Sequence, residues 1–231
     1  MSCDLDAVRW EMPEPASRLA AADTWSTASR GVLRVSGPDA LSYLHSQCSQ
    51  RLDDLVVGER RWSLVLEPTG HVIALAGMTR SEDTVIDIDV DPGAAEAVAA
   101  RLQRFLLRTD AVVEHVAEAG EVNPEVERAR VAGGWPRHGA EIVEGSTLPA
   151  ELGVADLAVS FTKGCYPGQE LVERMDSRGA SAPWRLIVVM APAQVGDVVT
   201  VTGEDVGAIT SAAGDVCIAR VKRAVLAADP H

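Results

Sequence analysis

The order of its alternating and apolar segments constrains the fold of this chain more than any other feature. Residues 31–36 (GVLRVS) and 84–90 (TVIDIDV) alternate apolar with polar side chains, as half-buried strands do. In chain order, the first segments predicted to be strands are residues 31–36, 61–66, 71–78, 84–90 and 111–116. Helical patterns begin near Pro38 and at Asp91–Pro92, so the order is β-α-β-β-β-α-β. This order predicts an α+β unit in which helices pack on one face of a sheet.

A different pattern follows Pro183, where short apolar segments are separated by turns that contain Gly and Asp. The segments WRLIVVM, DVVTV, DVGAITS and VCIARVK predict a small all-β module, either barrel-like or a sandwich. Residues 118–159 are rich in Gly, Pro and charge, which predicts loops and short helices joining two subregions. The predicted organisation is therefore an α+β region over residues 1–182 and a short β-barrel-like module over residues 183–231.

The net charge argues against several classes of partner. The chain carries 34 Asp and Glu against 21 Lys and Arg, whereas neutralising nucleic-acid phosphates or an anionic membrane surface needs an excess of Lys and Arg. Residues 1–15 are acidic where a secretory signal would be basic and then apolar, and no apolar segment has transmembrane length. We therefore expect a cytoplasmic protein that binds neither nucleic acid nor membrane, with a monomer as the default expectation.

The four cysteines, Cys3, Cys48, Cys165 and Cys217, show no CxxC and no Cys/His cluster at metal-ligand spacing. Reduced thiols and no stably bound metal are the expectation, and two disulfides are the alternative. Cys48 and Cys217 lie on apolar periodic segments, which favours a buried structural role. Cys3 is expected to be incidental in a mobile N-terminal end. An iron–sulfur site held by this chain alone is not expected, because such a site usually needs four cysteine ligands.

The segment FTKGCYPGQE, residues 161–170, differs from the rest of the chain. A strand is expected to end at Ser160–Phe161, a tight turn to follow, and a helix to start near Gln169. Cys165 would then lie on a loop just before a helix N-terminus, with Lys163 two residues away, and both features favour the thiolate. We therefore predict Cys165 and Lys163 as the catalytic residues. The alternative is that Cys165 is a small buried hydrophobic residue, the commoner role of a lone cysteine.

The octet KGCYPGQE resembles the K-G-C-[FY]-x-G-Q-E motif of YgfZ-type proteins, which are paralogues of the glycine-cleavage aminomethyltransferase, GcvT. Five further segments extend the resemblance over most of the chain: GVLRVSGPDA (31–40), LEPTGHV (66–72), GWPRHG (134–139), VGAITSA (206–212) and ARVKR (219–223). The resemblance implies a GcvT/YgfZ-like tetrahydrofolate-binding fold and a role in assembling or repairing iron–sulfur clusters. Radical-dependent tRNA-modifying enzymes are among the implied clients. The implied partners are folate and iron–sulfur client or assembly proteins.

The residues predicted to contact a folate are four motif positions and three arginines: Tyr166, Gly168, Gln169, Glu170, Arg137, Arg174 and Arg178. Tyr166 is expected to pack beneath the loop. The arginines are candidates for holding the charged folate tail, and the alternative for each is a solvated or surface-paired side chain. For Glu170 the alternative is a carboxylate that stabilises the first helical turn.

The chain departs from the aminomethyltransferase branch at two carboxylates. That branch has a G-G-I-x-D-D pattern after its hairpin, whereas the matching residues 70–75 (GHVIAL) contain no acid. It also has an R-L-E-A-G-x-P pattern whose Glu reads the pterin ring, and here Ala132 in RVAGGWP occupies that position. Glycine-cleavage chemistry is therefore not expected.

Three hypotheses follow. The leading one is a YgfZ-type protein, leaning towards no enzymatic activity, in which an exposed Cys165 lies beside a folate-sized cavity. Its thiolate would contact a cluster, a sulfur species or a client protein. The first alternative is a folate-dependent one-carbon transferase or demethylase, which would need a titratable group over the cavity. The second alternative is a non-catalytic folate sensor or interaction module.

Overall fold

The computed structural model describes residues 2–28, 30–177 and 182–226, except for the side chains of residues 176 and 177. Its strands are β1 (Ser2–Asp4), β2 (Arg9–Glu11), β3 (Gly31–Ser36), β4 (Arg60–Leu66), β5 (Val72–Glu82), β6 (Val85–Val90), β7 (Val112–Ala117), β8 (Trp184–Met190), β9 (Val198–Val201), β10 (Glu204–Ala213) and β11 (Val216–Lys222). Its helices are α1 (Pro15–Trp25), α2 (Ala40–Gln47), α3 (Ala95–Gln103), α4 (Pro124–Ala132), α5 (Ala155–Ala158), α6 (Gln169–Ser177) and α7 (Arg223–Leu226), with a 3₁₀ turn at Pro149–Glu151. Within these residues no helix has the length and apolar character needed to cross a bilayer.

A five-stranded antiparallel sheet has the order β4-β5-β6-β3-β7. The alternation of β3 and β6 buries one side chain in two, and these side chains pack against α2 and α3 in one apolar core. The α+β prediction is therefore confirmed. Cys48 lies just past the end of α2 and is buried, in agreement with its predicted structural role.

A six-stranded sheet has the order β1-β9-β10-β11-β8-β2, so residues 2–11 supply both of its edge strands. In the parallel pair β1–β9, Cys3 lies opposite Val199, while β2 pairs antiparallel with β8. The expectation that Cys3 is incidental in a mobile end is wrong, because its side chain is buried in a core with Val199 and Cys217. The division at residue 183 stays a prediction, and these two strand pairs are contacts that cross it.

A third apolar cluster joins the two sheets. It combines Trp62, on the second face of the five-stranded sheet, with inward side chains such as Val188 of β8 and Ile218 of β11. Trp25 of α1 and Trp135, which follows α4, are completely buried in the same cluster. The ring centroids of Trp62 and Trp135 are 4.7 Å apart. Because each buried tryptophan removes a large apolar area from water, these three fix the sheets together in a chain with few aromatic residues.

A hydrogen-bonded network of buried charged groups also lies between α4 and the six-stranded sheet. Arg130 of α4 is fully buried, and its guanidinium donates to Glu127 at 2.8 Å, to Glu141 at 3.2 Å and to the hydroxyl of Ser211 on β10 at 2.7 Å. The Ser211 hydroxyl donates in turn to Glu141 at 2.6 Å. A buried charge is tolerated only when it is paired and hydrogen-bonded, so this network fixes α4 against β10.

Candidate functional site

Lys163 ties the KGCYPGQE loop to the end of α2. Its buried ammonium donates to the carbonyl oxygens of His45, of Cys48 at 2.7 Å and of Gln50 at 3.1 Å. A helix C-terminus leaves such carbonyls unpaired, and the helix dipole favours a cation there. Burial lowers the pKa of Lys163 from its ordinary value. All three donors of the ammonium are used in these contacts, which describe a positioning residue, and a catalytic pairing of Lys163 with Cys165 stays a prediction.

Cys165 is the exposed cysteine of the four, whereas Cys3, Cys48 and Cys217 are buried. The alternative of a buried hydrophobic Cys165 is thereby excluded. Burial raises the pKa of each of the other three thiols, so their thiolates are disfavoured.

The predicted strand end at Ser160–Phe161 is wrong: α5 and an irregular segment precede the loop. The predicted helix after the loop is α6, which starts at Gln169.

The turn between β4 and β5 supports the other side of the loop. Gly168 has a φ of +87°, and a Cβ built on it would lie 2.8 Å from the carbonyl oxygen of Glu67 and 2.9 Å from Cα of Gly70. Gly70 has a φ of +91°, and its own Cβ would lie 2.6 Å from Cβ of Leu171. Glycine is therefore required at both positions, by the backbone conformation and by the close approach. The hairpin motif and the cysteine motif meet at this contact.

A cavity of about 420 Å³ opens beside α6. Phe161, just before the cysteine motif, and Val172, just after it, both line the cavity, so the segment that carries Cys165 begins and ends at its wall. The remaining walls come from α1, the 3₁₀ turn, α5, β8 and α7. A cavity of this volume accommodates a small organic ligand.

The predicted cofactor residues of the motif do not line this cavity. Glu170 forms an ion pair with Arg174, four residues along the exposed face of α6, and Gln169 donates to Glu173 at 2.6 Å. The ion pair agrees with the surface-paired alternative that we considered for Arg174. Contact of Gly168, Gln169, Glu170 and Arg174 with a folate stays a prediction.

The other predicted cofactor residues are dispersed. Tyr166 lies beneath the loop, buried in the apolar cluster between the two sheets. Arg137 lies beside the Arg130 network, with its Nε 3.7 Å from a carboxylate oxygen of Glu127. Arg178 lies outside the residues that the structure describes.

Sequence reasoning missed three arginines that line the cavity, Arg18, Arg185 and Arg223. They come from α1, β8 and α7, so no local motif connects them. For Arg18 the sequence does contain a local signal for the helix that carries it. Pro15 occupies the first position of α1, before an alanine-rich segment.

At the two positions where the resemblance in sequence suggested a missing carboxylate, the structure offers no polar side chain to a pterin ring. Leu75 is almost completely buried and packs in the cluster of Trp62 and Trp135. Ala132, at the other position, is exposed and has no donor or acceptor in its side chain. The arginine-lined cavity beside α6, in contrast, fits a ligand with an organic body and carboxylate groups.

The fold of this chain is similar to that of a solved protein structure. No known family matches the sequence, and no curated protein matches it. Among solved structures, the glycine cleavage system aminomethyltransferase T from Bartonella henselae matches with a TM-score of 0.73. The match covers 94% of this chain and 87% of that chain at 13% sequence identity. At this identity the likeness concerns the architecture and not the activity. The chain thus has the α+β fold of an aminomethyltransferase T, completed by a C-terminal β module.

Proposed function

We propose that this chain is a folate-binding protein of the YgfZ type that supports iron–sulfur cluster assembly or repair through Cys165, with tRNA-modifying enzymes among its clients. The observation that carries the proposal is the exposure of Cys165 on a loop held at both ends, by Lys163 to α2 and by Gly168 to the hairpin turn. A side chain on a loop fixed in this way is presented to a partner in one constant position. The aminomethyltransferase fold supports the folate part of the proposal.

The chemistry we propose for Cys165 is that of a single thiolate ligand. Cys165 lies four residues before the start of α6, on an exposed loop that a partner protein can reach. One thiolate donates an electron pair to an iron atom of a cluster in transit, and the partner protein supplies the other ligands. Residues 70–75 and Ala132 carry no acid, which disfavours one-carbon transfer as the alternative.

The residues that would hold a folate are those of the cavity beside α6. Arg18, Arg185 and Arg223 suit the carboxylates of its tail, and Phe161 and Leu186 suit its flat rings. Bound there, a tetrahydrofolate would supply a reduced ring that carries one-carbon groups.

The proposal is tested in cells. The gene is deleted in its host, and a labile iron–sulfur enzyme is assayed under oxidative stress. The deletion strain is complemented with wild type, Cys165→Ala or Gly164→Ala, all at matched soluble levels. Gly164→Ala is the control next to the thiol, because a Cβ at Gly164 meets no atom within 4 Å.

We expect wild type and Gly164→Ala to restore the enzyme activity and Cys165→Ala not to restore it. Equal rescue by Cys165→Ala would remove the thiol from the mechanism. Undiminished enzyme activity in the deletion strain would refute the cluster-maintenance role. Turnover of methylene-tetrahydrofolate with an amine acceptor would instead favour the one-carbon transferase.

A further inference from the structure

The cavity beside α6 contains a buried charge without a partner. Arg18 is 8% exposed, and its Nε is buried with no hydrogen-bond partner. Within the described residues its guanidinium makes no hydrogen bond and no ion pair. Buried charges in proteins are almost always paired, because desolvation of an isolated charge is costly. An unpaired guanidinium on a cavity wall therefore points to a ligand that supplies the missing acceptor.

The backbone leaves space for this guanidinium at Gly153. A Cβ built on Gly153 would lie 2.5 Å from Nη2 and 2.7 Å from Cζ of Arg18, and the φ of Gly153 is +67°. Any other residue would push the guanidinium out of its place. The guanidinium therefore occupies space that a glycine at this position of the cavity wall leaves free.

Three cations meet around the cavity. Burial is the largest effect on the pKa of Arg18 and lowers it; among the neighbouring charges, Asp156 raises this pKa more than Arg185 lowers it, and Glu14 raises it as well. Burial, and then the charge of Arg223, lower the pKa of Arg185, whose guanidinium donates to the carbonyl oxygen of Ala150. Arg185 is thus close enough to repel both Arg18 and Arg223. An anion between them would relieve this repulsion.

Among the described residues, the two acids on the cavity wall form no ion pair with these three arginines. Glu151 is paired with Arg220 at 2.8 Å, and Asp156 is exposed and forms no ion pair with Arg18. In a chain of formal charge −13, a wall with three arginines and one unpaired acid is a local reversal of sign. The other walls carry apolar side chains, among them Phe161, Val172 and Leu186.

We propose that the cavity beside α6 binds an aromatic organic acid, with a carboxylate on the Arg18 guanidinium and the rings against Phe161 and Leu186. A planar guanidinium matches a carboxylate in a bidentate geometry. The choice of a folate as ligand rests on the proposed function, whereas the assignment of Arg18 to a carboxylate holds for this class of acids in general.

The experiment measures binding by titration calorimetry with two probes. One is 5-formyltetrahydrofolate, and the other is p-aminobenzoylglutamate, which carries the tail without the pterin. The proteins are wild type, Arg18→Gln, Arg223→Gln and Arg104→Gln. Arg104 is an exposed arginine after α3, away from the cavity, and its substitution is the matched control.

Arg18→Gln is expected to weaken binding about 10- to 100-fold, since it removes a charge-assisted contact. Arg223→Gln, at the half-buried end of the site, is expected to weaken it about 3- to 10-fold, and Arg104→Gln to leave it unchanged. Without ligand, the melting temperature of Arg18→Gln is expected to equal or exceed that of wild type, because no internal contact is lost. An arginine with a purely structural role would lower it.

Two results would overturn the inference: neither probe binds wild type, or Arg18→Gln binds the probes as tightly as wild type does. Either result would leave the role of Cys165 to the complementation experiment. Conversely, equal rescue by Cys165→Ala in cells would refute the proposed function and leave an Arg18-dependent binding site intact.

Discussion

Gly70 and Gly168 are in direct backbone contact, although one belongs to a hairpin turn and the other to the cysteine loop. A Cβ on Gly168 would lie 2.9 Å from Cα of Gly70. The two motifs therefore form one structural unit, in which the hairpin sets the path of the chain between Cys165 and α6.

Gly168→Ala is expected to destabilise the protein by about 2–4 kcal/mol, because alanine is strained at positive φ and its methyl group meets backbone atoms. Gly164→Ala, in open space and without a positive φ, is expected to change the free energy of unfolding by less than about 1 kcal/mol. Urea denaturation of both variants measures the difference. Equal stability of the two variants would show that the contact is not needed.

Lys163→Met is expected to lower the free energy of unfolding by about 2–4 kcal/mol, because it leaves the carbonyl groups of His45, Cys48 and Gln50 without their charged donor. Lys222 is the control, since it is exposed and donates a single hydrogen bond, to the carbonyl of Asp205 at 3.1 Å. Lys222→Met is expected to cost less than about 1 kcal/mol. Similar losses in both variants would contradict the positioning role of Lys163.

Cys165 is expected to react with iodoacetamide in the native protein at least about 100-fold faster than Cys3, Cys48 or Cys217. The buried thiols become accessible only through local opening, which costs about 3 kcal/mol or more in a packed core. Timed alkylation followed by peptide mass spectrometry gives the four rates. Rapid labelling of Cys48 would show that the contact between α2 and the loop opens readily.

Stability is expected to fall as the pH decreases below about 6.5, because His45 must be neutral in the folded protein. Its Nδ1 accepts the backbone N–H groups of Leu52 at 3.1 Å and Asp53 at 3.2 Å. Burial, and then the charge of Lys163, lower the pKa of His45 from its ordinary value of 6.5. The unfolded chain therefore takes up a proton before the folded protein does, and acidification through this window favours unfolding.

His45→Asn keeps an acceptor near Nδ1 and cannot titrate, so its unfolding free energy is expected to depend less on pH between 7 and about 5.5. His115→Gln, an exposed change on β7, is the control and is expected to keep the wild-type dependence. Denaturant titrations at several pH values measure the slopes. An unchanged slope in His45→Asn would assign the pH dependence to other groups.

The sequence predicted the elements whose periodicity is long enough to read. The strands of residues 31–36 and 84–90 were found because their buried side chains alternate over six residues or more. β1 and β2 have three residues each, which is too short for a pattern, and only their partners β9 and β8 make them strands. α1 has little amphipathic character, so its burial depends on the cluster around Trp25.

The residues of the candidate site were likewise predicted where their signals are local in the sequence and missed where they are not. Cys165 was found because its loop signals lie within ten residues. The partners of Lys163 are carbonyl groups more than a hundred residues earlier in the chain, which no local pattern can indicate. Arg18, Arg185 and Arg223 meet only once α1, β8 and α7 have packed.

The six-stranded sheet has a consequence for synthesis on the ribosome. Its edges are made of residues 2–11, but the strands between them span residues 184–222. The five-stranded sheet, within residues 31–117, is complete in the nascent chain long before then. Residues 2–11 therefore emerge long before their partner strands, and until translation reaches β8 and β9 they stay available to chaperones and to neighbouring nascent chains.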